Sequence, residues 1–262
     1  MDLSLKGNKA IVCGSTDGIG KASALLMAER GASITLVARN KDKLNTTLTE
    51  LSTEYGQSHS TICADFNQPD ELKQILGEHL KENSCTYRIL VNNSGGPHGG
   101  PLIEAKEDEF RTAFERLLIG NHILTKVVVP GMKKLGYGRI INIISMSVNQ
   151  VIPGLGVSNT IRGAVAQWAK TLALELGEFG ITINNILPGY TATARLQELA
   201  KSKAESIGRT VQDISKTWAE NTSLRRLGKP KEIASAVAFL ASNSASYING
   251  HNLTVDGGCF GA

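Results

Sequence analysis

Short apolar runs alternate with segments of helical periodicity along the chain. Seven runs are compact, rich in β-branched residues and bounded by glycine or polar residues, which is typical of buried strands. These runs cover residues 9–13, 33–38, 61–64, 88–91, 139–144, 181–187 and 252–255. Apolar residues recur at helical spacing between them, in segments 21–30, 44–51, 72–80, 107–134, 158–176 and 230–240. Pro130 is expected to bend or divide the fourth of these helices.

Strands that alternate with helices pair in parallel, because each helix returns the chain to the same end of the sheet. The pattern therefore predicts a single doubly wound α/β domain over residues 1–262, with a seven-stranded, mostly parallel sheet and helices on both faces. Residues 191–223 are polar and lack strand character. This stretch is either a lid over a substrate site or a set of surface helices packed at one end of the domain.

Composition narrows the classes of function. The 262 residues are 41% hydrophobic and 20% charged, which suits a globular domain with a sizeable core. The net charge of +4 comes from scattered Lys and Arg, so it indicates a solvated surface or a basic cofactor pocket rather than a nucleic-acid partner. Aromatic residues, at 5%, are too few for a base-stacking surface. No apolar run reaches the roughly 20 residues of a membrane helix, so no membrane association is expected.

Cysteine usage indicates neither a metal site nor a disulfide framework. Cys13, Cys63, Cys85 and Cys259 show no metal-ligand spacing and no C-x-x-C pair, so no metal is expected. Cys13 and Cys63 fall in apolar runs and are predicted to be small core residues. Reduced thiols, together with an N-terminus that lacks the signal-peptide pattern, give a cytoplasmic location as the expectation.

A glycine-rich turn, Gly14-Ser15-Thr16-Asp17-Gly18-Ile19-Gly20, follows the first strand. Its three glycines permit a tight turn and let backbone N–H groups approach a pyrophosphate at the N-terminus of the next helix. Because the turn lies between a strand and a helix, it predicts a Rossmann-type dinucleotide site. The predicted cofactor contacts in this turn are Gly14, Ser15, Thr16, Gly18, Ile19 and Gly20.

The end of the second strand bears on cofactor choice. An acidic residue there binds the ribose 2′-hydroxyl and repels a 2′-phosphate. This sequence has Ala38 followed by Arg39, and a guanidinium suits a phosphate. We therefore expect NADP(H) to be preferred over NAD(H). The alternative is that Arg39 covers the adenine or points to water.

The G-x-x-x-G-x-G spacing resembles that of the short-chain dehydrogenase/reductase family, and further motifs follow in the family's order. They lie at Asp65, at the Asn92-Asn93-Ser94-Gly95 turn, and in segments 138–142, 188–193, 226–233 and 255–258. The resemblance covers essentially the whole chain and is nearest to members called 3-oxoacyl-acyl-carrier-protein reductases. It implies an NAD(P)-dependent oxidoreductase in which Asp65 contacts the adenine. It also implies cofactor contacts from Asn92, Ser94, Gly95, Arg162, Pro188, Gly189 and Thr193.

The catalytic positions depart from the family's pattern. Ser145 matches the serine that orients the substrate carbonyl in the family. Ser158 stands where the family has its proton-donating tyrosine, and Arg162 stands where it has lysine. Leu117 stands at the position of the asparagine that completes a water relay. The Ser-Asn-x-x-Arg text resembles an atypical branch of the family, whose reductase label is inherited from overall likeness and does not establish the reaction.

These replacements change the proton chemistry. A serine hydroxyl is a much weaker acid than a phenol and needs a base or a relay. Arg162 stays protonated, so it cannot pass a proton on, but it can bind ribose hydroxyls and place positive charge beside a developing alkoxide. Tyr190, His98, Ser147 and Asn149 are candidates for the missing donor. A packing or substrate contact is the favoured role for Tyr190, and an exposed loop position is favoured for His98.

Two functions fit these residues. The first is an NADP(H)-dependent oxidoreductase that acts on a carbonyl or alcohol, such as a 3-oxoacyl thioester, by a non-standard proton path. The second is a cofactor-binding protein without turnover, acting as a sensor or as a silent subunit beside an active relative. The resemblance also implies a homotetramer or dimer formed through the fourth and fifth helices and the C-terminal strand region. Those helices carry Phe110, Phe114, Leu118, Val165, Trp168 and Leu172, which alternatively all face the monomer core.

Overall fold

Seven strands form one sheet in the computed structural model, which describes residues 2–83 and 86–259. They are β1 Lys9–Cys13, β2 Ser33–Ala38, β3 Ser60–Cys63, β4 Ile89–Asn92, β5 Gly138–Ile143, β6 Ile181–Pro188 and β7 Asn252–Val255. Their order across the sheet is β3-β2-β1-β4-β5-β6-β7, and each neighbouring pair is parallel. The doubly wound Rossmann-type fold is therefore confirmed, with a sheet that is parallel throughout the described residues.

Nine α-helices accompany these strands in the described part of the chain. They are α1 Gly18–Glu29, α2 Lys41–Thr49, α3 Pro69–Asn83, α4 Glu107–Phe114, α5 Gly120–Leu135, α6 Gly156–Leu176, α7 Ala194–Ile207, α8 Val211–Glu220 and α9 Pro230–Ala241. Across residues 2–83 and 86–259, none of the helices combines the length and the apolar character that crossing a membrane requires.

The side chains of β1 show how the sheet builds two cores. Ala10 and Val12 pack with α1 and α9 on one face, whereas Ile11 and Cys13 pack with α3, α5 and α6 on the other. Successive side chains of a strand point to opposite faces, so a strand covered on both sides needs an unbroken apolar run. This is why the run at the first strand of the chain was readable from the sequence.

The order of the strands also positions the site. The chain moves outward from β1 to β2 and β3, and then returns to β4 on the other side of β1. The loops after β1 and β4 consequently lie next to each other at the carboxyl edge of the sheet. In open α/β sheets, ligands bind in the crevice at this switch point.

The long helix expected near residues 107–134 has its irregularity at an unexpected place. A π-helical turn, Glu115–Ile119, joins α4 to α5, while Pro130 lies inside α5 without dividing it. A proline removes one helical hydrogen bond, and the buried Val128 and Met132 hold this part of α5 on the core. Of the two effects expected of Pro130, the division of the helix was wrong, and the bend stays a prediction.

The cysteines give one confirmation and one correction. Cys13 is fully buried, and burial raises the pKa of its thiol. Cys63 is exposed, so its assignment to the core was wrong. The reason is that Cys63 ends β3, which is an edge strand with a neighbour on one side only. Cys85 lies outside the described residues.

Helices α7 and α8 occupy most of the polar stretch 191–223. They pack against each other around Ala200, Ala204, Ile214 and Trp218. The first turn of α7 borders the site described below. A lid role for this stretch therefore stays a prediction, now attached to two named helices.

Candidate active site

The glycine-rich turn after β1 has room for backbone only. Gly14 has φ of 57°, and a Cβ built on it would lie 2.6 Å from Asn93 Nδ2. A Cβ on Gly20 would collide with the carbonyl oxygen of Gly14. Asp17 caps α1 by accepting the N–H of Gly18 at 2.6 Å. The turn thus forms a bare backbone cradle at a helix N-terminus, which suits an anionic pyrophosphate.

Asn92 is the last residue of β4 and Asn93 is the first residue after it, and the two side chains make different contacts. Asn93 Nδ2 donates to the carbonyl oxygens of Cys13 at 3.2 Å and Gly14 at 3.4 Å, and so ties the β4 loop to the glycine turn. Asn92 is 1% exposed and donates instead to Asn142 Oδ1 at 2.8 Å inside the sheet. The predicted contact at Asn92 therefore lies within the sheet, and its neighbour borders the groove.

Two cavities of about 330 Å³ each lie along this edge of the sheet. They share walls at Gly14, Asn93, Ser94 and Gly95, so they are the two ends of one groove. The predicted residues that border the first cavity are Gly14, Gly18, Ile19, Ser94, Gly95, Ser145, Ser158, Arg162, Pro188, Gly189 and Thr193. Those that border the second are Gly14, Thr16, Arg39, Asp65, Ser94 and Gly95.

Ser15, a predicted cofactor contact, has a side chain that points elsewhere. It is fully buried, and its hydroxyl donates to the carbonyl oxygen of Val37 at 3.4 Å. Gly20 acts through its missing side chain, as described above. The short motif located this turn correctly, but it did not tell which side chains face the groove.

The second cavity is rich in cations. Arg39, Lys43 and Arg116 border it, beside the carboxylate of Asp65. Arg116 Nε donates to Asn67 Oδ1 at 2.7 Å. Burial lowers the pKa of Arg116; Arg39 and Arg195 lower it further, while Asp65 opposes the change. Three cations around one carboxylate leave a net positive charge, which suits a phosphate.

Ser158 and Arg162 form a hydrogen-bonded pair on α6. Arg162 Nε donates to Ser158 Oγ at 3.3 Å. Its Nη1 donates to the carbonyl oxygens of Ile143 at 3.2 Å and Ile144 at 2.8 Å. Burial, with a smaller contribution from the charge of Arg195, lowers the pKa of Arg162 to about 10. The guanidinium is therefore cationic at neutral pH and is fixed to the end of β5.

Ser145 follows β5 and borders the same cavity. Its Oγ accepts the N–H of Ser147 at 3.1 Å and caps a short 3₁₀ turn, Met146–Val148. Because a hydroxyl has both a donor and acceptors, the capping bond leaves the Ser145 proton available to a ligand. Ser145 therefore borders the cleft, as expected, and also caps a turn.

Behind Arg162 lies a small cavity of about 10 Å³, close to the volume of one water. Leu117, in the π-helical turn, borders it, and so does Asn121, one helical turn later. Asn92 also borders this cavity, and its Oδ1 is buried with no hydrogen-bond partner within residues 2–83 and 86–259. The family pattern places a side-chain amide at position 117. Here Asn121, one helical turn later in α5, carries such an amide beside the same cavity.

The other candidate proton donors lie away from the first cavity. Tyr190 borders a neighbouring cavity and stacks on Trp218 with ring centroids 5.3 Å apart. Burial raises the pKa of the Tyr190 phenol, the nearby Cys259 raises it further, and a hydrogen bond with Asn221 opposes this. The packing role weighed for Tyr190 is thus the one that its contacts favour.

The other three candidate proton donors, His98, Ser147 and Asn149, do not border the first cavity either. His98 is exposed on the loop after β4. Ser147 is 7% exposed, and the Asn149 side chain donates to Thr254 Oγ1 at 3.1 Å. None of these three is among the described residues that border the cavity.

Sequence reasoning missed four side chains around the groove: Asn93, Arg116, Asn121 and Arg195. Asn93 stands inside a motif that was noticed, and its position directly after the strand was a usable signal. The two arginines lie just beside motif positions, Arg195 two residues after the 188–193 segment and Arg116 next to Leu117, but no motif includes them. They reach the groove only through the packing of α7 and the π-helical turn.

Comparison with known proteins gives consistent matches over the whole chain. The family described as enoyl-(acyl carrier protein) reductase matches residues 14–259. A 3-oxoacyl-[acyl-carrier-protein] reductase of Vibrio cholerae is 33% identical over 98% of this chain and 99% of its own length. The 7alpha-hydroxysteroid dehydrogenase of Escherichia coli K12 is 33% identical over 98% of this chain and 96% of its own. The crystal structure of L-sorbose reductase from Gluconobacter frateurii, complexed with NADPH and L-sorbose, superposes with a TM-score of 0.92 at 30% identity, covering 100% of both chains.

Proposed function

The chain belongs to the short-chain dehydrogenase/reductase family of NAD(P)-dependent oxidoreductases, and from this premise we propose that it interconverts a carbonyl and an alcohol with NADP(H), using serine and arginine where the family has tyrosine and lysine. The observation that carries the proposal is the pairing of Ser158 with Arg162 at 3.3 Å beside Ser145 in one cavity. A hydroxyl held by a fixed cation is a suitable partner for a carbonyl oxygen.

The groove suits NADP(H) along its length. Arg39, Lys43 and Arg116 would hold the 2′-phosphate, and the bare glycine turn would hold the pyrophosphate. Pro188 and Thr193 would lie against the nicotinamide, which supplies or accepts the hydride when bound. The NADPH complex of the sorbose reductase supports this cofactor. Preference over NAD(H) rests on the cations of the second cavity.

In the proposed reaction, Ser145 and Ser158 donate hydrogen bonds to the substrate carbonyl oxygen. Arg162 Nε withdraws electron density from Ser158 Oγ, which makes that hydroxyl a stronger donor. As negative charge develops on the substrate oxygen, the guanidinium stabilises it in a largely buried setting where water screens little. Arg162 therefore supplies electrostatic stabilisation rather than a proton.

The proton itself needs a relay, because a serine hydroxyl is a weak acid. Solvent supplies the proton through a chain of waters, one of them held in the small cavity behind Arg162 by Asn121 and by Asn92 Oδ1. This chain reprotonates Ser158 Oγ after the serine has given its own proton to the substrate oxygen, and Arg162 keeps its protons throughout. A water with two or more polar partners is well held in such a space. Asn121 would thereby act in place of the amide that Leu117 lacks.

The test is a turnover assay coupled to binding. Calorimetric titration with NADPH and with NADH, at one salt concentration, measures the cofactor preference. Loss of NADPH absorbance is then followed with L-sorbose and with an acetoacetyl thioester, the substrate types named for the relatives. Hydride transfer to either class supports the proposal. NADPH binding without turnover of any carbonyl would instead favour the cofactor-binding protein without turnover, which the oxidoreductase names of the relatives do not support.

Assembly into a dimer or tetramer is part of the proposal. Phe114 on α4 is 41% exposed and Leu174 on α6 is 87% exposed, so both leave apolar surface for a second copy. Val165, also predicted for the interface, is 1% exposed and belongs to the core of one chain. Light scattering after size exclusion measures the assembly directly, and a monomer would contradict it.

A further inference from the structure

Two guanidinium groups meet at one end of the first cavity. Arg162 comes from α6 and Arg195 from the first turn of α7, and both border the cavity. Gly96 lies between them: a Cβ built on it would be 3.4 Å from Arg162 Nη2 and 3.9 Å from Arg195 Nη2. The absence of a side chain at Gly96 therefore leaves space that both arginines face.

The Arg162 charge has no acidic partner among the described residues. Its Nε and Nη1 donate to Ser158 Oγ and to backbone carbonyl oxygens, which are neutral acceptors. The Nη2 group is the part of the fork that faces Gly96 and Arg195. Arg162 is half-buried, so its charge is partly removed from water without a counter-charge, and an anion at this point would be favoured.

The Arg195 charge is only weakly compensated. One Nη donates to the carbonyl oxygen of Pro97, and the other lies 3.4 Å from Glu198, whose side chain is 68% exposed. An exposed pair at this helical spacing contributes little. Asp17 is the one acidic residue among the described residues that border the cavity, and its carboxylate caps α1. The cleft therefore carries an excess of positive charge beside Ser145 and Ser158.

Part of the lining of this cleft is apolar. Leu155, Leu196 and Leu199 border it, so the space beside the two arginines suits a short hydrocarbon segment. A ligand that fits has an anionic group at one end, a compact apolar body, and a carbonyl that reaches the serines. Arginine is well suited to the anionic end because its planar fork binds carboxylate and phosphate with two hydrogen bonds.

We propose that the substrate carries a carboxylate or phosphate group, and that Arg195 together with Arg162 Nη2 binds that group in the cleft. This inference rests on the proposed function for the reacting carbonyl, while the anion site itself depends only on the two arginines. Arg195 is then a specificity residue, which selects anionic carbonyl compounds over neutral ones.

The first test measures anion binding without turnover. The protein is titrated calorimetrically with malonate, inorganic phosphate and neutral malonamide, both with saturating NADPH and without it. We expect malonate and phosphate to bind and malonamide not to bind. Arg195→Gln should weaken malonate binding at least tenfold. The control is Arg111→Gln, because Arg111 also has an exposed carboxylate partner three residues away, at 2.6 Å, but lies outside the cleft. Equal binding of malonamide, or unchanged binding in Arg195→Gln, would overturn the proposal.

The second test separates this inference from the proposed function. NADPH consumption is compared for levulinate and its methyl ester, and for acetoacetate and its methyl ester. The acids should have a kcat/KM at least tenfold higher than their esters. Arg195→Gln should bring the ratio of acid to ester kcat/KM to about one, whereas Arg111→Gln should leave that ratio as in the wild type. Equal turnover of acids and esters would contradict the proposed anion site and would still support the proposed oxidoreductase activity. Malonate binding that depends on Arg195, without turnover of any carbonyl compound, would support the anion site and contradict the proposed oxidoreductase activity.

Discussion

Arg162 Nε lies 3.3 Å from Ser158 Oγ, one helical turn earlier on α6. The four-residue spacing puts both side chains on the same face of the helix, towards the cleft. This is the spacing that the family uses for its tyrosine and lysine, so the helix presents a hydroxyl beside a cation although both residue types have changed. The proposed chemistry depends on that pair.

Ser158→Ala tests the hydroxyl of the pair. We expect kcat to fall by about 10²-fold, the lower end of what a positioned proton donor contributes. NADPH affinity should stay unchanged, because the serine faces the substrate end of the groove. Thr160→Ala is the matched control, since Thr160 is exposed on the same helix and donates to the Gly156 carbonyl oxygen at 3.1 Å. Equal activity in the two variants would rule out the role of Ser158.

The pH dependence of turnover tests the charge of Arg162. Burial and the charge of Arg195 lower its pKa to about 10 from the usual 12.5, so the guanidinium is charged below that pH and loses its charge above it. We expect kcat to decline as pH rises through about 10. Arg162→Met should lack activity below that pH as well, whereas Arg162→Lys should retain part of it. A flat wild-type rate through this range, in protein shown to be folded by circular dichroism, would contradict the prediction.

Arg39→Asp tests cofactor preference. The carboxylate would repel a 2′-phosphate, and the loss of a charge-assisted hydrogen bond costs about 1.5–3 kcal/mol, or roughly 10- to 100-fold in affinity. NADPH affinity should fall by this factor while NADH affinity holds or rises. Lys41→Gln is the control, because Lys41 is exposed nearby but does not border the second cavity. Similar losses for both cofactors in Arg39→Asp would show that Arg39 does not read the phosphate.

Much of the fold was readable from the sequence because local and global preferences agree. The bounds of β1, β2 and β7 match the apolar runs residue for residue, since each run is closed by glycine or a polar residue. The expectations failed where tertiary context decides. Cys63 lies in an apolar run, but its strand is at the sheet edge, and the packing of α5 holds the helix together across Pro130.

The site was readable in part for a similar reason. The glycine turn needs a backbone geometry that only its own residues can supply, so the motif locates it. Which side chains face the groove depends on the pleat of the strands, which separates Asn92 from Asn93. Arg195 was invisible because its approach to Arg162 depends on how α7 packs across the end of the sheet.

Asn121→Ala tests the proposed relay. We expect kcat to fall about tenfold, in line with the loss of one hydrogen bond to a held water. The solvent isotope effect on kcat should increase, because proton delivery becomes slower, and cofactor affinity should not change. Thr125→Ala is the control, since Thr125 lies one turn further along α5 outside the small cavity. A reduced kcat with the isotope effect of the wild type would indicate a structural role for Asn121.

Gly20→Ala tests the backbone cradle itself. The added Cβ would collide with the Gly14 carbonyl oxygen and would come within 2.7 Å of Asn93 Nδ2, so either α1 or the glycine turn must move. Overpacking of this kind costs about 1–3 kcal/mol of folding stability. Because the displaced atoms form the phosphate site, NADPH affinity should fall as well, which calorimetry measures alongside thermal unfolding.

Gly77→Ala separates this steric effect from the general effect of replacing glycine in a helix. Gly77 lies inside α3, and a Cβ built on it meets no atom within 4 Å. Alanine there should stabilise the fold by about 1 kcal/mol through helix propensity alone and leave NADPH binding unchanged. Opposite signs for the two substitutions would show that position 20 is constrained by the Gly14 carbonyl and Asn93. If Gly20→Ala were also stabilising and bound NADPH normally, the glycine turn would have the freedom to shift, and the cradle would not require glycine at that position.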